Sequence, residues 1–405
     1  MKKLVLLKTN KDNIEKTIIG SYIFDDVNSD INNIKLINNN NDINMLVNYY
    51  TGINNTLVSI FQDHNIININ NDIDFATDYI KYNDENNTLD LITYMSAITF
   101  TDMKFIDNDK YMIGHYNQNT TIIVDGSPLD IEPDFSSVLT KTRNTLKWKK
   151  QIKHVSGGDS TKGPIITELE KDESGNFYIF GNLTTNINSI TVLNIENTLI
   201  NPNIQKINNT LILTKTSETE VLWRILIEGS SSTSLLLNPQ IRQDNNKLYF
   251  SFNFSGSITI GNNYFSTNSE QIINTIYGSM SNNGEILWLK QIKTEQYVSC
   301  FDFCIDDKYI YSVGKYKGNV FFDDFKLNSL NFDAGYVIKI KKSSGTILNT
   351  INIYSDDKLN VNSISQDFSN IFVSGTWKGN IYFNGKIKST TYSDFFITNI
   401  KKNKI

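Results

Sequence analysis

The sequence predicts an all-β fold, a β-propeller of six four-stranded blades, with seven blades as the alternative. Three observations carry that expectation. A strand core recurs along the chain; its copies end at Asn48, Gly114, Gly181, Phe252, Gly314 and Gly375, 61 to 71 residues apart. A regular period of this length marks one supersecondary unit stacked on itself. Each period also holds runs rich in Ile, Val, Tyr, Phe and Trp, bounded by Asn, Gly, Asp and Ser, the composition of strands and their turns. Helical i, i+3, i+4 patterning is nowhere sustained.

The elements follow in order. Residues 3–10 (KLVLLKTN) and 13–20 (NIEKTIIG) match the third and fourth strands of the unit. The last stretch, 361–402, stops after a third-type strand, so the N-terminal pair is expected to close the ring by supplying its missing outer strand. Residues 1–405 then form one domain: closing strands at 1–33 and units at about 34–95, 96–153, 154–228, 229–293, 294–354 and 355–405.

Within a unit, the first strand ends in a polar turn, as in 164–172 (PIITELEKD), 301–307 (FDFCIDD) and 363–367 (SISQD). The second is aromatic and β-branched and ends at the recurring Gly or Asn, residues that tolerate positive φ; Phe252 is the exception. Third strands are 74–83, 134–143, 209–217, 273–281, 334–342 and 394–402; fourth strands are 89–95, 146–152, 221–227, 286–292 and 347–353. Turn sequences at 173–176 (ESGN), 244–246 (DNN), 282–284 (NNG) and 343–345 (SSG) sit where hairpins reverse. Between second and third strands lie the most variable segments, 182–208, 318–333 and 379–394, expected as extra hairpins or long loops on one rim. Stacking such units radially buries both apolar faces of each. A linear β-solenoid is the other option, but its repeats are usually much shorter.

Residues 172–181 (DESGNFYIFG), 284–292 (GEILWLKQI) and 367–379 (DFSNIFVSGTWKG) carry a resemblance to the β-propeller repeat family of bacterial surface proteins. It covers 96–405 well and 34–95 weakly. The resemblance implies a fold and no single activity.

Composition narrows the classes. The chain has 405 residues, net charge −5 and no long basic run, which argues against nucleic-acid binding through phosphate neutralisation. No apolar run approaches the ~20 residues of a membrane span. Lys8 cuts the opening apolar run short, so no signal peptide is expected. Cys300 and Cys304, four apart on one strand, would point the same way about 13 Å apart, beyond bridging distance. Two buried thiols are expected, in a reducing compartment or a particle assembled there. Heavy use of Asn and Ile with scarce Pro resembles the AT-driven composition of mimivirus-like giant viruses and some protists.

Features found in every copy are expected to be architectural. The residues two after each strand-core end, Tyr50, Tyr116, Leu183, Phe254, Tyr316 and Trp377, suggest packing between blades rather than an aromatic binding ring. Trp148, Trp223 and Trp288 recur on fourth strands. Asp107, Asp172, Asp244, Asp306 and Asp367 end first strands; none sits in a calcium-ligand run, so they read as turn residues.

Features found once are the site candidates. The polar loop 153–164 (KHVSGGDSTKGP) offers His154, Asp159 and Lys162 at the mouth of a central channel; a solvated connection is the alternative. It does not fit a Walker loop. Lys315, Lys317 and Lys378 are candidates for contacting an acidic partner; solvated loop lysines are the alternative. His64, His115 and His154 lack metal-ligand spacing, and no GxSxG elbow is present. No cofactor or metal is expected. NxS/T sites such as Asn54, Asn119, Asn182 and Asn253 matter only in a glycosylating compartment.

Blade grammar without a titratable cluster leads to a non-enzymatic structural or protein-interaction module. Its expected partners are proteins, including other virion components of a giant virus, and its expected place is the virion or host cytoplasm. A carbohydrate- or ligand-binding propeller, or an enzyme, with its site over the central channel is the alternative. An anionic adaptor for basic protein tails is a third.

Overall fold

The computed structural model describes the strands named below and, continuously, residues 165–183, 210–217, 221–230, 234–329, 332–383 and 386–405. Side chains are described in residues 100–104, 109–114, 137–142, 166–182, 210–217, 221–230, 234–329, 332–383, 389 and 396–405. The chain divides into two compact units, Met1–Leu169 with Ile190–Asn203, and Glu170–Ser189 with Ile204–Ile405. Both are built from antiparallel strands.

In the first unit, sheet I orders Lys2–Thr9, Lys16–Phe24, Thr56–Gln62 and Asn65–Asn71. Sheet II orders Asp30–Asn39, Asp42–Tyr50, Phe75–Asn83 and Thr88–Ser96. Sheet III holds Ile98–Ile106, Asp109–Tyr116, Ser136–Thr142 and Leu146–Val155, extended by Val192–Ile195 and Thr198–Leu199. A separate hairpin, Ile122–Val124 with Ser127–Leu129, lies beside Thr88–Ser96.

Sheet IV holds Ile165–Lys171, Phe177–Leu183, Thr210–Thr216 and Val221–Gly229, then Ser257–Ile260 and Asn263–Ser266. Sheet V holds Leu236–Asp244, Lys247–Phe254, Asn274–Ser281 and Ile286–Thr294, then Asn319–Phe322 and Phe325–Asn328. Sheet VI holds Tyr297–Ile305, Tyr309–Lys317, Ala334–Lys341 and Ile347–Ser355, and continues into Asn370–Phe383, Lys358–Gln366 and Lys386–Lys401.

This corrects the expected architecture. The structure is all-β, but it does not arrange six four-stranded blades closed by the N-terminal strands. Sheets III to VI run to six and seven strands because the segments expected on a rim cross over instead. Each is a hairpin that pairs with the fourth strand of the preceding sheet: Val192 opposite Val155, Val320 opposite Thr294, Ile381 opposite Ser355; residues 257–266 do the same, with Ile258 opposite Gly229. The physical reason is the row of unpaired N–H and C=O groups that an outer strand presents. The hairpins supply partners, and their alternation supplies packing. Val320 and Phe322 point inward, while Phe321 between them is exposed. Ring closure fails for the same reason: Lys16–Phe24 takes its partner from Thr56–Gln62, with Ser21 opposite Phe61, rather than from residues 361–402.

Second and third strands are central and buried on both faces, as along Thr210–Thr216, so they read as continuous apolar and small residues. Core clusters draw on successive sheets. Tyr178, Phe180 and Leu213 of sheet IV meet Ile241, Phe250 and Phe252 of sheet V. Tyr249, Tyr277 and Ile292 of sheet V meet Val298, Tyr316 and Tyr336 of sheet VI.

The recurring glycines have a different cause from the one expected. Gly314 and Gly375 lie inside their strands, and neither is among the positive-φ residues. Each faces a β-bulge in the first strand, at Phe301 and at Asn362. There a Cβ would stand 1.9 Å from the Ser299 carbonyl oxygen, or 2.0 Å from that of Asn360. Phe252 escapes the constraint because its bulge is wider. Asn238 and Pro239 both loop out opposite it, with Asn238 at φ 50°.

The bulge at Phe301 also separates the thiols. Cys300 joins the core between sheets V and VI, whereas Cys304 packs against the cluster of Leu359, Val361 and Ile364. Cys300 is buried, Cys304 half-buried, and both are free thiols.

Candidate functional site

Turn aspartates organise the polar chemistry. Asp172 accepts the Asn176 N–H at 2.9 Å; Asp306 accepts those of Lys308 and Tyr309 at 2.9 and 2.8 Å; Asp367 accepts those of Ser369 and Asn370 at 2.7 Å each. The carboxyls also anchor lysines. Lys215 pairs with Asp172 at 2.9 Å beside the Tyr178 ring, and Lys402 pairs with Asp306 at 3.2 Å beside the Tyr311 ring. In sheet V, Ser279 stands opposite Tyr249 where sheet IV has Lys215 opposite Tyr178. Lys342, from the turn of the next sheet, takes over there, pairing with Asp244 and lying over Tyr249.

These contacts set protonation. Burial pushes the Asp172 carboxyl up, but hydrogen bonds from Lys215 and Asn176 outweigh it and hold it below its ordinary value. Burial likewise raises Asp306, and the N–H groups of Lys308 and Tyr309 with Lys402 reverse the sign. Burial, then Asp244, pushes the Tyr249 hydroxyl up to about 12.

First strands are clipped together by carboxylates set just after the bulges. Asp102 accepts the Met103 and Leu169 N–H groups at 2.8 and 2.9 Å. Asp302 accepts the Phe303 N–H at 2.8 Å, the Ile364 N–H at 3.1 Å and the Ser363 hydroxyl at 2.8 Å, and pairs with Arg242 at 2.8 Å. Trp223 donates to the Asn282 carbonyl at 2.8 Å and Trp288 to that of Lys342 at 2.9 Å, each reaching a turn of the next sheet. Tyr316 and Trp377 are buried in cores.

One buried network contains a thiol. Ser312 Oγ lies 2.8 Å from the Tyr277 hydroxyl and 3.2 Å from Cys300 Sγ, and Tyr277 reaches the Tyr336 hydroxyl at 3.1 Å. Burial pushes Tyr277, Tyr336 and Cys300 all upward. A protonated thiol closed to solvent is no nucleophile; this network joins two sheets.

Among the described residues an open site lies elsewhere, at the turn end of sheets V and VI. A pocket of ≈ 320 Å³ forms where the turns after Asp244, Asp306 and Lys341 converge. Its buried members are Tyr249 and Lys342. Lys342 is fixed: its ammonium pairs with Asp244 and donates to the Asp306 carbonyl at 2.7 Å, and its N–H donates to the Lys308 carbonyl at 3.0 Å. Tyr309 is half-buried; Lys247, Lys308, Lys341 and Asp307 are exposed. Among the described residues, the ammonium groups of Lys247, Lys308 and Lys341 have no ion-pair partner, in contrast to Lys215, Lys290, Lys342 and Lys402. With Asp244 neutralised, three free cations face one free carboxylate. That arrangement attracts anions. Among the described residues no group of His, Cys, Asp and Glu is placed to hold a metal.

The sequence candidates fall differently. Asp159 and Lys162 lie outside the described residues. His154 is placed by backbone alone, opposite Leu193. Lys315 pairs with Asp333 at 2.6 Å and donates to Asn360 at 3.2 Å; Lys378 pairs with Asp357 at 3.0 Å; Lys317 is half-buried at the end of its strand. Lys315 and Lys378 are thus each satisfied by an aspartate of their own. In the sequence each pocket lysine is indistinguishable from a solvated turn residue. Their signal was positional: all three flank a hairpin turn at the same end of adjacent units.

No family model matches the chain, and no curated protein does. A solved structure similar to it is a puromycin-hydrolyzing peptidase of Mycobacterium tuberculosis, 6% identical, TM-score 0.40, covering 88% of this chain and 53% of that one. The chain therefore spans about half of that protein's length. Among the described residues, no helix is long and apolar enough to cross a membrane.

Proposed function

We propose that this chain is a non-catalytic protein-interaction module that meets its partner at the turn pocket of sheets V and VI. The supporting observation is the set of unpaired rim lysines, Lys247, Lys308 and Lys341, around an open pocket whose buried members are locked in place. Exposed cations on a rigid frame favour recognition over chemistry, because no general base stands beside a nucleophile there.

A photo-crosslinking residue in place of Tyr309 tests this in an extract of the source cells. A discrete partner, absent when the same residue replaces Thr259 on a crossing hairpin, supports the reading. No adduct, or the same adducts from both positions, refutes it. Residence in a giant-virus particle rests on the Asn- and Ile-rich composition alone. Quantitative mass spectrometry of purified particles checks it: fixed stoichiometry supports it and absence removes it.

A further inference from the structure

We infer that the occupant of this pocket is an acidic peptide segment bound through several side-chain carboxylates. The inference rests on the pocket being the partner contact and names the chemistry of that partner.

Charge sets the sign. Asp244 is consumed by Lys342, which leaves Lys247, Lys308 and Lys341 against Asp307 on the rim. The chain as a whole carries −5, so this excess of positive charge is local and runs against the average. A local patch of opposite sign steers an anionic partner to one place and repels it elsewhere.

Geometry sets the class. The three cations are carried by three different turns, one in sheet V and two in sheet VI, rather than by one loop wrapped around a single point. All are lysines, point charges on flexible stems, without the planar fork that arginine offers to a single oxyanion. Asp307 stands among them and opposes a compact dianion more than separated single charges. Point charges from three separate turns, with a carboxylate in the same lining, suit an extended run of Asp and Glu better than one phosphate. Tyr309 adds an apolar wall for the intervening methylenes.

The test is fluorescence anisotropy on the full chain with a short labelled peptide rich in Glu and Asp. Comparators are its Gln/Asn counterpart and a neutral peptide bearing one phosphoserine. The acidic peptide should bind, weaken about tenfold or more between ~50 and ~500 mM salt, and lose about tenfold in affinity with Lys247→Glu or Lys308→Glu. Lys326→Glu, an exposed lysine on a crossing hairpin, makes the same change in net charge and should leave affinity within about twofold. Equal losses for Lys308→Glu and Lys326→Glu overturn the inference, since binding then follows net charge. Binding of the phosphoserine peptide alone also overturns it. If no peptide binds while Tyr309 crosslinking still captures a partner, the acidic chemistry fails and the interaction surface stands. If both fail, both fall. Unchanged melting temperatures of the variants exclude misfolding as the cause.

Discussion

Phe322→Ala tests whether the crossing hairpins are part of the sheets they join. Phe322 is fully buried, sits in the core of sheets V and VI, and has its ring centroid 5.1 Å from that of Tyr336. Truncating a fully buried Phe loses its transfer free energy and leaves a cavity, together about 3–5 kcal/mol. The neighbouring Phe321 is 42% exposed and faces the other way, so Phe321→Ala should change stability by no more than about 0.5 kcal/mol. For a unit of this size, Phe322→Ala should lower Tm by about 6–20 °C. Urea melts followed by tryptophan fluorescence give the two free-energy changes and thermal melts the Tm, with Trp288 packed against the same core. If the hairpin is only a loop on the surface, the two variants behave alike. A difference below about 1 kcal/mol between them would refute the pairing of residues 319–328 with sheet V.

Asp302→Ala should cost about 2–4 kcal/mol, because it orphans the Ile364 N–H and leaves Arg242 without its partner; a double-mutant cycle with Arg242→Met separates the two effects. Gly314→Ala should cost about 3 kcal/mol or more, since the new Cβ meets the backbone oxygen of Ser299. Gly284→Ala, with φ +85° but only a Trp223 ring at 3.1 Å, should cost about 1–2 kcal/mol. Thermal unfolding of the pair decides whether the bulge or the dihedral matters more. Asp172 and Asp306 have folded pKa values below the ordinary 3.8, so their stabilisation is complete above that value and is lost as pH falls through the lowered folded pKa. Asp172→Asn should flatten that acid limb in equilibrium melts. Tyr249, raised from 10.0 to about 12, acts in the opposite direction: its share is complete below pH 10.0 and is lost as pH rises towards 12. Absorbance titration of wild type against Tyr249→Phe reads that change. Cys300 should resist thiol reagents in the native state and react only on unfolding.

Much of the strand pattern was legible because each strand is encoded locally. The β-branched and aromatic residues of 319–322 (NVFF) and the Leu, Ile and Thr of 210–216 (TLILTKT) mark strands without any tertiary knowledge. Turn aspartates were legible for the same reason, since Asp172, Asp306 and Asp367 bond N–H groups within four residues of themselves. Pairing between distant strands was not. Nothing within 319–328 says that its partner is Ile286–Thr294, because unpaired backbone groups look alike in every strand. The sequence marks Gly314 as a recurring position but not its cause: a left-handed dihedral and a facing bulge both select Gly, and only the partner strand tells them apart. The same bulge sent Cys300 and Cys304 to opposite faces, which strict period-two counting cannot foresee. Of the pocket, sequence offered only separate turn lysines; their shared opening arises from the meeting of three turns.

The crossing hairpins bear on how the chain can be shortened. Ending it at Thr294 would complete the fourth strand of sheet V yet strip it of Asn319–Phe322 and Phe325–Asn328. Extending the fragment to Asn328 restores them, but carries along Tyr297–Ile305 and Tyr309–Lys317 without Ala334–Lys341 beside them. Every possible stopping point within residues 210–383 strands one neighbour or the other. Deletion series should therefore yield insoluble products there, and loss of a few carboxyl-side residues is felt one sheet upstream.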